Sequence, residues 1–414
     1  MSVLVPRLTT VTATVGALAL ALTLGSVAPA GAQLGSIDPS TLGLEDLEAI
    51  MEGVGSVPLG SAAGALGSVG SADIPLDGEG SSQPLRNEPR PVDPTITESE
   101  FIEVERTSGD YEYWKVTSAA MRREVILEVV PSRVSDGPAP VLYMLDGVDA
   151  PEYNSGWNHQ ARIDNRLRDE NVHVVVPTGA YASYYADWEN ADPVLGFNKW
   201  ETFLSQELPG IVEERLTTNG RNAIGGISMG GQAAMHLAAT YPEIYQGVMS
   251  FSGYYSTMDA LGYQTVRGTL ETRGGDVENM WGPHRGERWK QNDTISHAED
   301  LENTAVYFSA GNNVAGPDDF ANYGGGADFM NMILGQLLEM GVLEGSKAFE
   351  KALDRAGVEH RVDYADTGFH NWPNFLKNFG SGWDYIKPAL YGGDVEPGTG
   401  TPGSSGSSGS STGS

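Results

Sequence analysis

Cysteine is absent from all 414 residues. That excludes a disulfide framework, cysteine-ligated zinc and thiol catalysis, so covalent chemistry would need another nucleophile. Basic residues are scarce: 25 Lys and Arg stand against 55 Asp and Glu, a net charge of −30. Nucleic acid, whose phosphates demand clustered cations, is a poor partner for such a chain, and so is an anionic membrane surface. Carboxylates in this excess keep an exported protein soluble. Long hydrophobic runs are also lacking. The apolar stretch Val11 to Leu24 is shorter than the ~20 residues of a membrane span. It follows Arg7 and precedes Ala30-Gly31-Ala32, an A-x-A cleavage pattern. Residues 1–32 therefore read as a signal peptide, Gln33 as the mature start, and the protein as secreted to the cell envelope.

Aromatic residues are nearly missing from 33–95, which is rich in Gly, Ser, Ala and Pro. So little apolar bulk cannot offset the entropy of ordering, so this stretch reads as linker, with a short helix possible at Leu44 to Met51. Residues 392–414 read as a flexible Gly/Ser tail. The folded unit is then 96–391, one α/β domain large enough to be stable without disulfides. Within it Trp114 to Val116 and Val125 to Val130 form an opening antiparallel pair. Val141 to Leu145 and Val172 to Val176 are continuous apolar runs, the mark of strands buried on both faces. Further strands are expected at 222–227, 248–251, 306–309 and 361–364. Helices are expected at 200–216, 229–241 and 329–356, the last broken near Gly341 to Gly345, with a final helix within 373–390. This alternation predicts a mostly parallel central sheet flanked by helices, with no internal repeat.

Gly226-Ile227-Ser228-Met229-Gly230 is a G-x-S-x-G motif with a strand before it and a helix after it. That context marks a nucleophile elbow and hence the α/β-hydrolase fold. The glycines let strand and helix pass closely, and the sharp turn lifts the Ser228 hydroxyl to the carboxyl end of the sheet. The Met229 N–H, at the helix start, points where an oxyanion would form. The second donor belongs to the loop after an early strand, which nominates the Val148 N–H. Asp146, before Gly147, reads equally as a turn former.

A serine nucleophile needs a base, and in this fold the order along the chain is Ser, acid, His. Of seven histidines, His370 alone follows the last strand in a loop, whereas His173 and His236 sit inside a strand and a helix. The acid stays open on pattern: Asp318 and Asp319 follow the strand ending at Ser309, and Glu339 and Glu344 lie in the helical region.

Seven separated stretches resemble the antigen 85 type mycolyltransferases of mycobacteria and corynebacteria: LDGVDAPEYNSGW (145–157), SYYADW (183–188), KWETFLSQELP (199–209), GGISMGG (225–231), MWGP (280–283), ERWKQND (287–293) and GFHNW (368–372). Their order matches too. The resemblance implies Ser228 as nucleophile, His370 as base, and Met229 and Val148 as oxyanion donors. It implies Glu339 as the acid, from the Leu338-Glu339 pair with Phe349 downstream, with Glu344 in reserve. Asp146 and Trp372 match positions lining a trehalose site. Three departures stand out. The cysteine pair of secreted mycobacterial members is absent, which implies the corynebacterial branch or a relative. Asp149 stands where an arginine is frequent, and Asn371 where serine is common.

The implied reaction is transfer of a mycolyl group from trehalose monomycolate to a second trehalose monomycolate, arabinogalactan or another envelope hydroxyl. Partners would be trehalose mycolates and cell-wall glycans, with no nucleic acid and no obligate protein partner. No metal or cofactor is required for such a route. A secreted carboxylesterase on the same fold differs in ending on water. A non-catalytic envelope binder differs in leaving Ser228 unreactive to organophosphonates.

Overall fold

The computed structural model describes residues 91–135, 137–323 and 329–392. The signal peptide, most of the linker and nearly all of the tail read from sequence lie outside them.

Nine strands form one sheet: β1 (Phe101–Ser108), β2 (Tyr111–Ser118), β3 (Arg123–Val130), β4 (Ala139–Leu145), β5 (His173–Pro177), β6 (Thr218–Ile227), β7 (Tyr245–Phe251), β8 (Ala305–Ala310) and β9 (His360–Tyr364). Their spatial order is β1-β2-β3-β5-β4-β6-β7-β8-β9. The first three strands enter antiparallel. Every pairing from β5 through β4 and β6 to β9 is parallel. The apolar runs read from sequence form the middle of this sheet, and β4 is buried at all seven positions. The alternation within it is real but apolar on both sides. Val141, Tyr143 and Leu145 join one core, while Leu142 and Met144 join the other. A strand covered by helices on both faces has no solvent side to mark with polar residues.

Six helices matter for the site: α1 (Gly156–His159), α2 (Met229–Thr240), α3 (Pro317–Asn322), α4 (Phe329–Ala356), α5 (Trp372–Lys377) and α6 (Phe379–Leu390). Helix α2 puts Ala233, Ala234 and Leu237 into the core shared with Tyr143, Ile224, Val248 and Phe308. On the opposite face α6 buries Phe379, Trp383, Ile386 and Leu390 against Met249, Phe251 and Tyr307. Phe251 stacks on Phe379 at 5.9 Å between ring centroids and lies 6.2 Å from Trp157. Ring pairs of this kind contribute about 0.5–1.5 kcal/mol beyond their burial, and these lie at the carboxyl end of the sheet.

Four sequence readings need correction. Strand β1 was not read; all its residues after Phe101 are exposed, so the edge carries no apolar signal. The run Trp200 to Leu216 is helical, but Phe203–Glu207 is a π-helical segment within it. Helix α4 runs unbroken through Gly341 and Gly345. A Cβ at Gly345 would lie 2.6 Å from the Tyr254 ring, so that glycine serves close packing rather than a break. The last helical stretch is two helices, α5 and α6, that meet at Asn378.

Candidate active site

Strand β6 ends at Ile227 and α2 starts at Met229, which leaves Ser228 alone to make the turn. Its backbone sits at φ 52°, ψ −121°, a strained conformation for a residue with a side chain. Two close approaches hold it there. A Cβ on Gly226 would lie 2.4 Å from the Gly230 carbonyl, and one on Gly230 would lie 2.4 Å from the Asp146 carbonyl. Only glycine fits at either point. The Ser228 N–H is tied to the Phe251 carbonyl at 2.9 Å.

The structure brings Ser228, His370 and Glu339 into one line. Ser228 Oγ lies 2.8 Å from His370 Nε2, and His370 Nδ1 lies 2.8 Å from Glu339 Oε2. The Glu339 carboxylate can only accept, so the ring proton belongs on Nδ1 and Nε2 is left to accept the serine proton. Glu339 is 0 % exposed. Its other oxygen, Oε1, accepts from the Ser252 hydroxyl (2.7 Å), the Gly311 N–H (2.5 Å) and the Asn374 amide (3.2 Å). A buried carboxylate so enclosed has one free direction, toward the imidazole.

The other acid candidates go elsewhere. Glu344 pairs with Lys347 at 2.7 Å on the surface. Asp318 is exposed and faces Lys377 at 3.8 Å. Asp319 is buried but bonds to backbone and amide N–H groups near the histidine.

The loop of the proposed oxyanion donors lies against the serine. A Cβ on Gly147 would sit 3.7 Å from Ser228 Cβ. Each turn of this loop is pinned: Ala182 N–H donates to the Val148 carbonyl at 2.8 Å, and Ala150 N–H to Gly147 at 3.1 Å. Asp149, standing where the resembled family has arginine, pairs with Arg273 at 3.1 Å. Met229 is the first residue of α2, so its N–H has no acceptor within the helix.

Asp146 and Trp372 are brought to the same place. Asp146 Oδ1 accepts from the Gly156 N–H at 3.1 Å, and the Trp372 ring lies so close over Gly156 that a Cβ there would collide with it at 2.0 Å. Trp372 also meets Trp157 edge-on at 5.3 Å. Asp146 is 3 % exposed, and its Oδ2 makes no hydrogen bond. Burial pushes its carboxyl up to about 7; the Ser155 hydroxyl pulls the other way, and the buried Glu128 adds to the rise.

That shift has a sign. The folded chain keeps the Asp146 proton up to about pH 7, while the unfolded chain releases it near the ordinary carboxylate value. Stability from this group is therefore full below about pH 4, falls as pH rises toward 7, and levels off above it. Between pH 5 and pH 7 the loss is about 3 kcal/mol, two units at about 1.4 each. Asp146→Asn is expected to flatten the fall in unfolding midpoint over that range; equal slopes for variant and parent would contradict the assignment.

Sequence reasoning missed Ser252, Asn374 and the Gly311 N–H as supports of the acid. Ser252 has one local mark, its place between the end of a strand run and Gly253; its positive φ, 53°, shows only in the structure. Asn374 and Gly311 carry none, because their roles arise only when β8, α4 and α5 converge. Among the described residues no cluster of three His, Asp or Glu side chains could hold a metal ion.

Fold and site together define an acyl-transferring enzyme of the serine hydrolase type on the α/β-hydrolase fold. The Esterase family model matches residues 118–382. Diacylglycerol acyltransferase/mycolyltransferase Ag85A of Mycobacterium tuberculosis is 30 % identical over 291 residues, covering 67 % of this chain and 80 % of that protein. The Ag85B protein of Mycobacterium avium is 29 % identical over 291 residues, covering 68 % and 82 %. The crystal structure of Mycobacterium tuberculosis MPT51 (FbpC1) superposes with a TM-score of 0.58 at 28 % identity, over 68 % of this chain and 100 % of that one. An S-formylglutathione hydrolase from Agrobacterium tumefaciens, at 17 % identity and a TM-score of 0.53, over 70 % of this chain and 99 % of that one, shares the fold. The chain belongs to the Esterase family, among its antigen 85 mycolyltransferases.

Proposed function

We propose that this protein is a secreted mycolyltransferase that works through an acyl-enzyme on Ser228, with trehalose monomycolate as donor. The observation that carries the reading is the unbroken hydrogen-bonded line from Ser228 Oγ through His370 to Glu339, at 2.8 Å for each link. Likeness to the Ag85A acyltransferase/mycolyltransferase supplies the acyl-transfer class.

In the first half-reaction the Ser228 hydroxyl proton passes to His370 Nε2 as Oγ bonds to the mycolyl carbonyl carbon. The negative charge moves to the carbonyl oxygen, where the Met229 and Val148 N–H groups receive it. Glu339 stabilises the imidazolium without taking its proton. The bond between the carbonyl carbon and the sugar oxygen then breaks, and trehalose leaves with the proton from Nε2. In the second half an acceptor hydroxyl gives its proton to Nε2 and takes the acyl group, and Nε2 passes that proton to Oγ as the acyl bond breaks, which regenerates Ser228. The acceptor is a second trehalose monomycolate, arabinogalactan or another envelope hydroxyl. Asp146 and Trp372, which match sugar-lining positions of the resembled family and meet around Gly156, would line the sugar site. The export segment read at residues 1–32 supports a place in the cell envelope, next to these substrates.

Water as final acceptor is the second reading, favoured by the match to a family model named for esterases. Incubation with trehalose monomycolate separates the two. The transferase yields trehalose dimycolate in preference to free mycolate, and Ser228→Ala yields neither. Free mycolate as the sole product, unchanged by added acceptor, would make the protein an esterase.

A further inference from the structure

Asp319 is one of the carboxylates that sequence order offered for the acid and that the geometry leaves out of the line. It is 1 % exposed. Its Oδ2 accepts from the Gly316 N–H at 2.7 Å, which closes the first turn of α3. Helix capping uses only that oxygen. The other, Oδ1, reaches across 50 residues of sequence to the Phe369 N–H at 2.9 Å and the Asn371 side-chain amide at 2.7 Å. These are the residues immediately before and after His370. None of the three donors is a cation, so this buried carboxyl group is satisfied by hydrogen bonds, an arrangement that is costly unless each is well made.

The network continues on both sides. Asn371 Oδ1 accepts from the Asn374 N–H at 3.1 Å, and the Asn374 side-chain amide donates to Glu339 Oε1 at 3.2 Å. The His370 carbonyl accepts from the Tyr323 hydroxyl at 3.1 Å, and its N–H donates to the Gly335 carbonyl at 3.0 Å. Asp319, Asn371 and Asn374 thus join the backbone around the base to the carboxylate that orients it.

From this geometry we infer that Asp319 is a positioning residue for the acyl-transfer reaction, acting through Phe369 and Asn371 to hold the imidazole between Ser228 and Glu339. The inference rests on the Ser228–His370–Glu339 reading. Asn371 is part of the device. Serine at 371 could still cap α5, as it does at many helix starts, but is too short to span to Asp319.

The test compares the full-length enzyme with Asp319→Asn and Asn371→Ser, using a soluble short-chain ester and counting sites with an organophosphonate. Activity is expressed per titrated site, so a loss of folded protein alone cannot mimic the effect. Asparagine at 319 turns an N–H2 toward one of the three N–H donors. The expected result is a fall in kcat of about 10- to 100-fold with KM within twofold, the scale of a misplaced catalytic group. Asn371→Ser is expected to fall between this and the parent. The downfield proton of the His370–Glu339 hydrogen bond should shift or broaden in Asp319→Asn. A kcat per titrated site equal to the parent's overturns the inference, even where the yield of native protein drops. Failure of the parent itself to react with the phosphonate would instead overturn the reading of Ser228.

Discussion

Ser228→Ala is expected to lower ester turnover by about a million-fold, the scale seen when a serine nucleophile is removed. No neighbouring group can replace it. Ser250 and Ser252 are buried, and Ser252 spends its hydroxyl on Glu339. The same substitution removes only the hydroxyl and keeps the Cβ that sets the backbone strain at this positive φ, so the fold should be unchanged. Turnover assayed beside an unfolding curve tests both halves. Residual activity within tenfold of the parent would show that another group attacks the ester.

Glu339→Gln is expected to cost on the order of ten-thousand-fold in kcat, and the local hydrogen bonds say why. Three donors converge on the Oε1 position: the Ser252 hydroxyl, the Gly311 N–H and the Asn374 amide. They fix the glutamine oxygen there and turn its N–H2 toward His370 Nδ1. The imidazole must then accept at Nδ1 and carry its proton on Nε2, where it cannot take the serine's. Glu344→Gln, which loses only a surface contact to Lys347, should stay within twofold of the parent. A crippled Glu344→Gln beside an active Glu339→Gln would overturn the assignment.

The parts of this architecture written in local residues were legible. Gly226 to Gly230 could be read as an elbow because each glycine answers a backbone contact that any side chain would fill. Strands β4 and β5 could be read because burial on both faces leaves an apolar run. The edge strand β1 was illegible for the opposite reason, since solvent covers nearly all of it. The acid was harder still. Nothing local separates Glu339 from Glu344 or Asp319; what separates them is which one the packing of α4 against β8 presents to His370. Likeness to a family named it before the structure placed it there. Asp319 remained unassigned until its second oxygen could be followed to the histidine loop.

The central claim is that Ser228 carries the acyl group between two alcohols. Intact-mass spectrometry of the protein mixed with trehalose monomycolate and then freed of excess donor, with and without added trehalose and beside Ser228→Ala, tests it most directly. The account predicts a mycolyl adduct on Ser228, absent from the alanine variant, that clears faster when trehalose is added. An adduct that clears equally fast without trehalose would contradict transfer, and no adduct on Ser228 at all would contradict the acyl-enzyme itself.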